Sequence, residues 1–189
     1  MERIVECVPN ISEGRDRGKI QQIVKEIKDT DGVLLLNVES NLEHNRTVIT
    51  FVGIPEKVKE AAFKLIAKAV EVIDMSLHKG EHPRIGACDV CPFVPVKGVT
   101  MEECVLLARE LGKEVGEKLR VPVYLYEQAA TRPERKNLAN IRQGEYEGLK
   151  EKLRHPNWQP DFGPAIFNPK SGAIVIGARE FLIAYNVNL

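Results

Sequence analysis

Four β-rich runs interleave with two helical periods across the first hundred residues, and that order leaves the chain few folds to choose from. "RIVECV" reads as a short strand and "NISEGRDRGK" as a glycine-bearing turn. Ile20, Ile23, Val24 and Ile27 then recur at helical spacing. Two β-rich runs follow, "GVLLLNVE" and "RTVITFVG", and the polar "SNLEHN" between them reads as a hairpin connection. Pro55 opens a second helix, whose Val58, Ala61, Ala62, Leu65, Ile66, Ala69, Val70 and Ile73 form one apolar face. "DVCPFVPV" reads as a strand, but Pro92 and Pro95 remove ladder donors and point to an edge or a bulge. The resulting β-α-β-β-α-β order predicts an α/β (α+β) fold of the split-βαβ, ferredoxin-like kind, with helices on one face of its sheet.

Further elements extend this unit. At Thr100 the T-M-E-E stretch offers a capping box through Glu103, and Cys104, Leu107, Ala108, Leu111, Val115 and Leu119 line one helical face. "VPVYLY" and the terminal "FLIAYNVNL" read as extra C-terminal strands, and "EYEGLKEKL" as a surface helix. Ending on apolar, β-prone sequence, the last strand suggests an edge that needs a partner. Between them, "HPNWQPDFGPAIFNPKSGA" is too rich in Pro and Gly for a regular element and too long for a minimal connection, and such loops often carry binding. No linker separates two cores, so 189 residues read as a single domain, 1–189.

Charge narrows the partners. With 27 basic against 27 acidic residues and no long Lys/Arg block, neither a nucleic-acid footprint nor an anionic membrane surface is expected. No apolar run approaches the roughly 20 residues of a membrane span. "MERIVECVPN" also lacks the basic-then-apolar layout of a signal peptide, so the expected location is the cytoplasm. There, Cys7, Cys88, Cys91 and Cys104 are expected as reduced thiols, with Cys7 and Cys104 simply part of the core.

One stretch concentrates chemistry: "SLHKGEHPRIGACDVCPF", residues 76–93. His78-x-x-Glu81-His82 has the order of inverted zinc peptidases, which need both histidines on one helical face. Gly80 and Pro83 argue against that, because the residue before a proline is pushed out of the α region. Cys88-x-x-Cys91 suits zinc or a redox pair, but it falls in a strand, where positions i and i+3 face opposite sides. His82, set on a turn between Glu81 and Arg84, remains either a proton-transfer group or a surface histidine without a task.

These segments carry a family resemblance. "VECVPNISEG", "NRTVITFVG", "IDMSLHKGEHPRIGACDVCPFVPVKGVTMEEC", "VPVYLYEQAA", "IRQGEYEGL", "PDFGPAIFNPKSGAIVIGAR" and "FLIAYNVNL" together resemble the N-terminal subdomain of glutamate formiminotransferases, from end to end of the chain. The resemblance implies transfer of the formimino group from N-formimino-L-glutamate to N5 of tetrahydrofolate, releasing glutamate, in histidine breakdown. It implies that His82, in the G-E-H-P-R motif, is the catalytic residue. It also implies a folate-binding segment at Gly163, Pro164, Ala165, Ile166, Phe167, Asn168, Pro169, Lys170, Ser171 and Gly172. No metal is implied.

Attack of the folate nitrogen on an amidine carbon requires one nitrogen to lose a proton and another to gain one, and an imidazole at His82 serves both. Arg46 and Arg84 are candidate partners for substrate carboxylates, and Glu39 and Glu81 for a cationic amidine or for orienting His82. Position 39 is more often Asp in the family, which sets Glu39 apart. Asn10 and Glu13, in "PNISEG", match a family motif where helix capping serves as well as ligand contact.

Family members also possess a C-terminal subdomain, with folate between the halves. The chain stops where that half is expected, so a separate partner chain or a homo-oligomer is expected to supply it. The alternative is a non-catalytic folate-binding or interaction half. A third, weaker option is a zinc protein built on His78, His82, Cys88 and Cys91.

Overall fold

The computed structural model describes residues 3–182. Seven strands, β1 (Ile4–Cys7), β2 (Asn10–Ile11), β3 (Val33–Asn41), β4 (Arg46–Gly53), β5 (Cys88–Lys97), β6 (Val123–Glu127) and β7 (Ile174–Ala178), form one mixed sheet. Among the described residues five α-helices accompany it: α1 (Arg17–Lys28), α2 (Pro55–Val72), α3 (Met101–Lys118), α4 (Leu138–Arg142) and α5 (Glu145–Arg154). Apart from Phe181 and Leu182, the strand expected over "FLIAYNVNL" lies outside the described residues.

Strands β1 and β2 run end to end, interrupted at Pro9, and pair antiparallel with β4 on one side and β5 on the other. Strand β3 pairs with β4 and forms the sheet's edge. The second half is parallel, with β7 inserted between β5 and β6.

That insertion decides where the helices go. The β5-α3-β6 crossover moves outward across the sheet, whereas the return from β6 to β7 moves inward. Since parallel crossovers are right-handed, the two must use opposite faces. Accordingly α1, α2 and α3 share one core with Cys91, Val123, Leu125, Ile174 and Ile176. The alternate residues Val90, Tyr124, Tyr126 and Val175 pack with Ile141 of α4 and Leu149 and Leu153 of α5 on the other side. Helices on a single face therefore describe only the first part of the chain; the sequence pattern does not reveal that β7 folds back inside β6.

Two further expectations change. The strand carrying Pro92 and Pro95 is interior rather than an edge, flanked by β1/β2 and by β7. It tolerates proline because the missing donors fall at irregularities of its neighbour. Pro92 faces the Pro9 interruption, where its carbonyl accepts the Val8 N–H at 3.2 Å, and Pro95 lies beside a register shift at Ile4/Val5. A second shift, at Asn10/Ile11, inserts one extra residue into β5 and turns Cys88 to the same core as Cys91. Both thiols are buried, as are Cys7 and Cys104, and Cys7 Sγ lies 3.5 Å from Cys91 Sγ.

Helix α3 begins with the expected reciprocal cap, in which Thr100 and Glu103 each accept the other's backbone N–H. On the face opposite α1–α3, helices α4 and α5 cover β5, β7 and β6. Among the described residues no helix covers the β3–β4–β1/β2 half there, and alternation along β4 presents Arg46, Val48, Thr50 and Val52 to that face. No helix among the described residues is long and apolar enough to cross a membrane.

Candidate functional site

His82 sits at the border of the bare half-sheet, on an irregular segment between a short 3-10 turn (Met75–Leu77) and β5. The turn between β3 and β4 fixes that segment. Asn45 there has a left-handed backbone (φ 48°), accepts the Gly14 N–H through Oδ1 at 2.9 Å, and donates to the Lys79 carbonyl at 3.1 Å. His78 Nε2 donates to the Asn45 carbonyl at 2.9 Å while its Nδ1 accepts from Arg84 Nε at 3.2 Å, so both ring nitrogens are engaged. Glu81 N–H donates to the Glu43 carbonyl at 3.2 Å. His78 is thus a backbone anchor, and the segment it secures delivers His82 to the start of β4.

There, Arg46 Nη1 lies 2.7 Å from His82 Nε2 and 3.2 Å from Asn10 Oδ1 on β2. The His44 ring stands 5.9 Å from that of His82, and its Nδ1 is buried without a hydrogen-bond partner among the described residues. Arg142 of α4 reaches across to Asp89 of β5. Burial pushes the Asp89 carboxyl up, against the opposing pull of Arg142. Burial, and then the charges of Arg46, Arg142 and His44, lower the His82 pKa from 6.5 to about 4. Its imidazole is neutral at pH 7.

Arg84 serves a different end. Its side chain is only 7% exposed, bidentate to Glu147 at 2.6 and 2.8 Å, and bonded to Glu145 at 2.9 Å. It ties the His82 segment to α5 and has no open fork for a substrate carboxylate. Glu13 is also committed locally, accepting the Arg15 and Asp16 N–H groups at the entry to α1. Glu39 pairs with Val48 across β3 and β4, on the bare face with Arg46. Glu81 is exposed.

Residues 163–172 do not form one wall. At its start, Gly163 (φ 78°) is pressed against the Val121 carbonyl and Gly116 of α3. Its end approaches the His82 segment. Gly86 and Gly172 form an isolated bridge, Ala87 N–H donates to the Ser171 carbonyl, and Ala173 N–H to the Ile85 carbonyl. Phe167 packs at 5.5 Å on Tyr146, whose hydroxyl donates to the Pro169 carbonyl at 2.5 Å. Lys170 Nζ is taken by the Glu71 carbonyl at 2.7 Å, while Ile166 is 68% exposed. The stretch thus offers apolar surface at Ile166 rather than a free cation.

A family model described as "Formiminotransferase domain, N-terminal subdomain" matches residues 4–179. The chain belongs to this family. Over its whole length it is 57% identical to the formimidoyltransferase-cyclodeaminase of Dictyostelium discoideum, spanning 35% of that protein. It is 56% identical over 98% of its length to the glutamate formimidoyltransferase of Thermoplasma acidophilum, and 48% identical over all of it to that of Streptococcus pyogenes serotype M1. The chain spans 62% and 63% of those two proteins.

Sequence reasoning about this formiminotransferase subdomain overlooked His44, Asp89 and Arg142. The signal for Asp89 is an acid inside the otherwise apolar "ACDVCPF", since a buried carboxylate requires a partner. Nothing in the sequence indicates that this partner is Arg142. The zinc constellation does not assemble: His78 is bonded through both nitrogens and the two thiols lie in the core beneath. Among the described residues no group of three or more His, Cys, Asp or Glu side chains is placed to hold a metal ion.

The depressed His82 pKa has a consequence for stability. As pH falls through 6.5 the unfolded chain takes up a proton on this ring, while the folded chain does so only near 4. Between those values acidification favours unfolding, because the unfolded state binds more protons. The stability difference between wild type and His82→Gln is therefore expected to shift against wild type from pH 7 to pH 4.5. Melting temperatures of both at the two pH values check this, and parallel pH profiles would contradict it.

Proposed function

We propose that this chain is the proton-transferring half of a folate-dependent glutamate formimidoyltransferase, moving the formimino group of N-formimino-L-glutamate to tetrahydrofolate. The observation that carries the proposal is the placement of His82: half-buried and neutral, at the rim of a bare sheet face, within a chain that belongs to the family over its described length. In the reaction His82 receives the proton lost by the attacking nitrogen and returns it to the departing glutamate nitrogen. Arg46 offers a cation for a substrate carboxylate. The 163–172 stretch borders the site through Phe167–Gly172, and the exposed Ile166 suits an aromatic ligand's apolar surface.

Several structural features support the wider reading. The β1/β2 strand lies between β4 and β5, the third and fourth strands of the antiparallel unit, as a ferredoxin-like unit requires, and the unit with its added strands acts as one subdomain, 1–189. The bare half-sheet suits a covering partner, either a C-terminal half on another chain or a second copy. An equal balance of acidic and basic residues suits a cytoplasmic metabolic protein better than a nucleic-acid or membrane-surface binder.

The test is a formimino-transfer assay on the chain alone and with a C-terminal half supplied in trans. Activity is expected in at least the second. Folate binding without transfer in either would favour the alternative, a non-catalytic folate-binding half.

A further inference from the structure

The contact between His82 and Arg46 creates a chemical problem for a base. A guanidinium carries only N–H donors, so its approach at 2.7 Å engages the lone pair of His82 Nε2. The ring proton then belongs on Nδ1, and a hydrogen bond to the Pro83 backbone favours the protonated ring. The one atom of His82 able to receive a proton is therefore covered by a cation.

Arg46 itself is incompletely used. Both of its contacts, to His82 and to Asn10, are made by Nη1, and Nη2 and Nε have no partner among the described residues. Among the described residues no carboxylate closes the fork. Asp89 is held by Arg142 and by the Ile85 N–H, and Glu39, on the same face, forms no ion pair with Arg46. A half-buried arginine with an unfilled planar fork matches a carboxylate, which it binds bidentately and with opposite charge, whereas a neutral imidazole offers it a single lone pair.

We propose that Arg46 is a substrate-responsive latch on His82: a carboxylate of the glutamate moiety draws the guanidinium off Nε2, freeing that nitrogen as a base only when the anionic substrate is seated. The latch rests on the transferase reading above and specifies how that site tells a loaded state from an empty one. The charged or titratable groups acting on His82 are Arg46 from β4, Arg142 from α4 and His44 from the β3–β4 turn; Asp89 from β5 and Glu39 from β3 act on Arg46, and Glu81 adjoins His82 in its own segment. Arg46, Arg142 and His44 oppose protonation of the ring, and neutralising Arg46 removes the first of them. An idle site thus keeps its base covered. Arg46 is a positioning residue: it sets the state of His82 and takes no part in bond making.

The experiment is an NMR titration of the His82 ring in this chain, with L-glutamate as probe and sodium chloride at equal ionic strength as control. In wild type, glutamate is expected to raise the ring pKa by about 1–3 units. In Arg46→Gln the ring starts higher and does not respond. A wild-type ring that ignores glutamate, or an equal response in both proteins, overturns the latch. Neither result involves turnover, so failure here is separate from failure of the transfer assay. A purely structural Arg46 would not make the His82 pKa depend on a carboxylate.

Discussion

Replacing His82 with glutamine is expected to lower formimino transfer by about 10²- to 10⁴-fold, the usual contribution of a positioned acid–base group. Glutamine is close in size and offers Arg46 a carbonyl acceptor, so the Arg46 contact and the path of residues 78–86 should persist. The loss should therefore appear in turnover at full substrate occupancy, with the far-UV spectrum and melting temperature at pH 7 close to those of wild type. The assay is the transfer reaction with the C-terminal half supplied. Normal turnover in this variant would remove His82 from the mechanism, and a collapse of the fold would make its role architectural.

The second large effect is expected far from His82, at Asp161→Ala. Arg135 is the largest fully buried side chain among the described residues, only 1% exposed, and Asp161 Oδ2 meets its Nη1 at 2.8 Å. The same carboxylate accepts the Leu125 N–H at 2.8 Å and the Thr131 hydroxyl. The Gln159 carbonyl and the rings of Tyr124 and Trp158, at 5.1 and 5.9 Å, complete the guanidinium's surroundings. Removing Asp161 leaves a buried cation with carbonyls and aromatic faces but no counter-charge, a loss of about 3–5 kcal/mol. Urea unfolding should show a lower midpoint with an unchanged slope. The double variant Arg135→Met/Asp161→Leu should recover most of that loss, because it removes both charges together. If Asp161→Ala costs under about 1 kcal/mol, the pair is not what secures the chain leading into Gly163.

Local rules were the legible part of this sequence. The Thr100–Glu103 cap, the apolar face of α2 and the hairpin around residues 42–45 each depend on neighbours within a few positions, and each reads directly from the residues. What eluded sequence reasoning depends on distant partners. The facing of Cys88 is set by one extra residue opposite Asn10 and Ile11, which strict alternation cannot anticipate. Arg84 reads as a candidate substrate anchor until Glu145 and Glu147, some sixty positions away, are found to fill its fork. Arg46 and Arg84 look equivalent in sequence. Only burial and pairing distinguish the arginine with an open fork from the closed one.

The site followed the same division. Proline and glycine around His82 were enough to break the metal geometry, but the charged surroundings of its ring, Arg46, His44 and Arg142, come from two other parts of the chain and could not be read locally. The placement of α4 and α5 on the opposite face escaped because it follows from β7 folding back between β5 and β6, and no residue pattern announces a strand's place in a sheet.

The Gly86–Gly172 bridge bears on how such a protein can be redesigned. A Cβ on Gly86 would run into the Ala173 carbonyl oxygen, and one on Gly172, at φ 66°, into that of Ile85. Four residues from His82, two chain segments touch main chain to main chain with no side chain between them to absorb a change. A library aimed at altering ligand preference through the 163–172 stretch should therefore leave 171–173 untouched and vary the exposed Ala165 and Ile166 instead. Shifts in the crossing would travel along the backbone to the histidine, and altered selectivity would come coupled to altered rate.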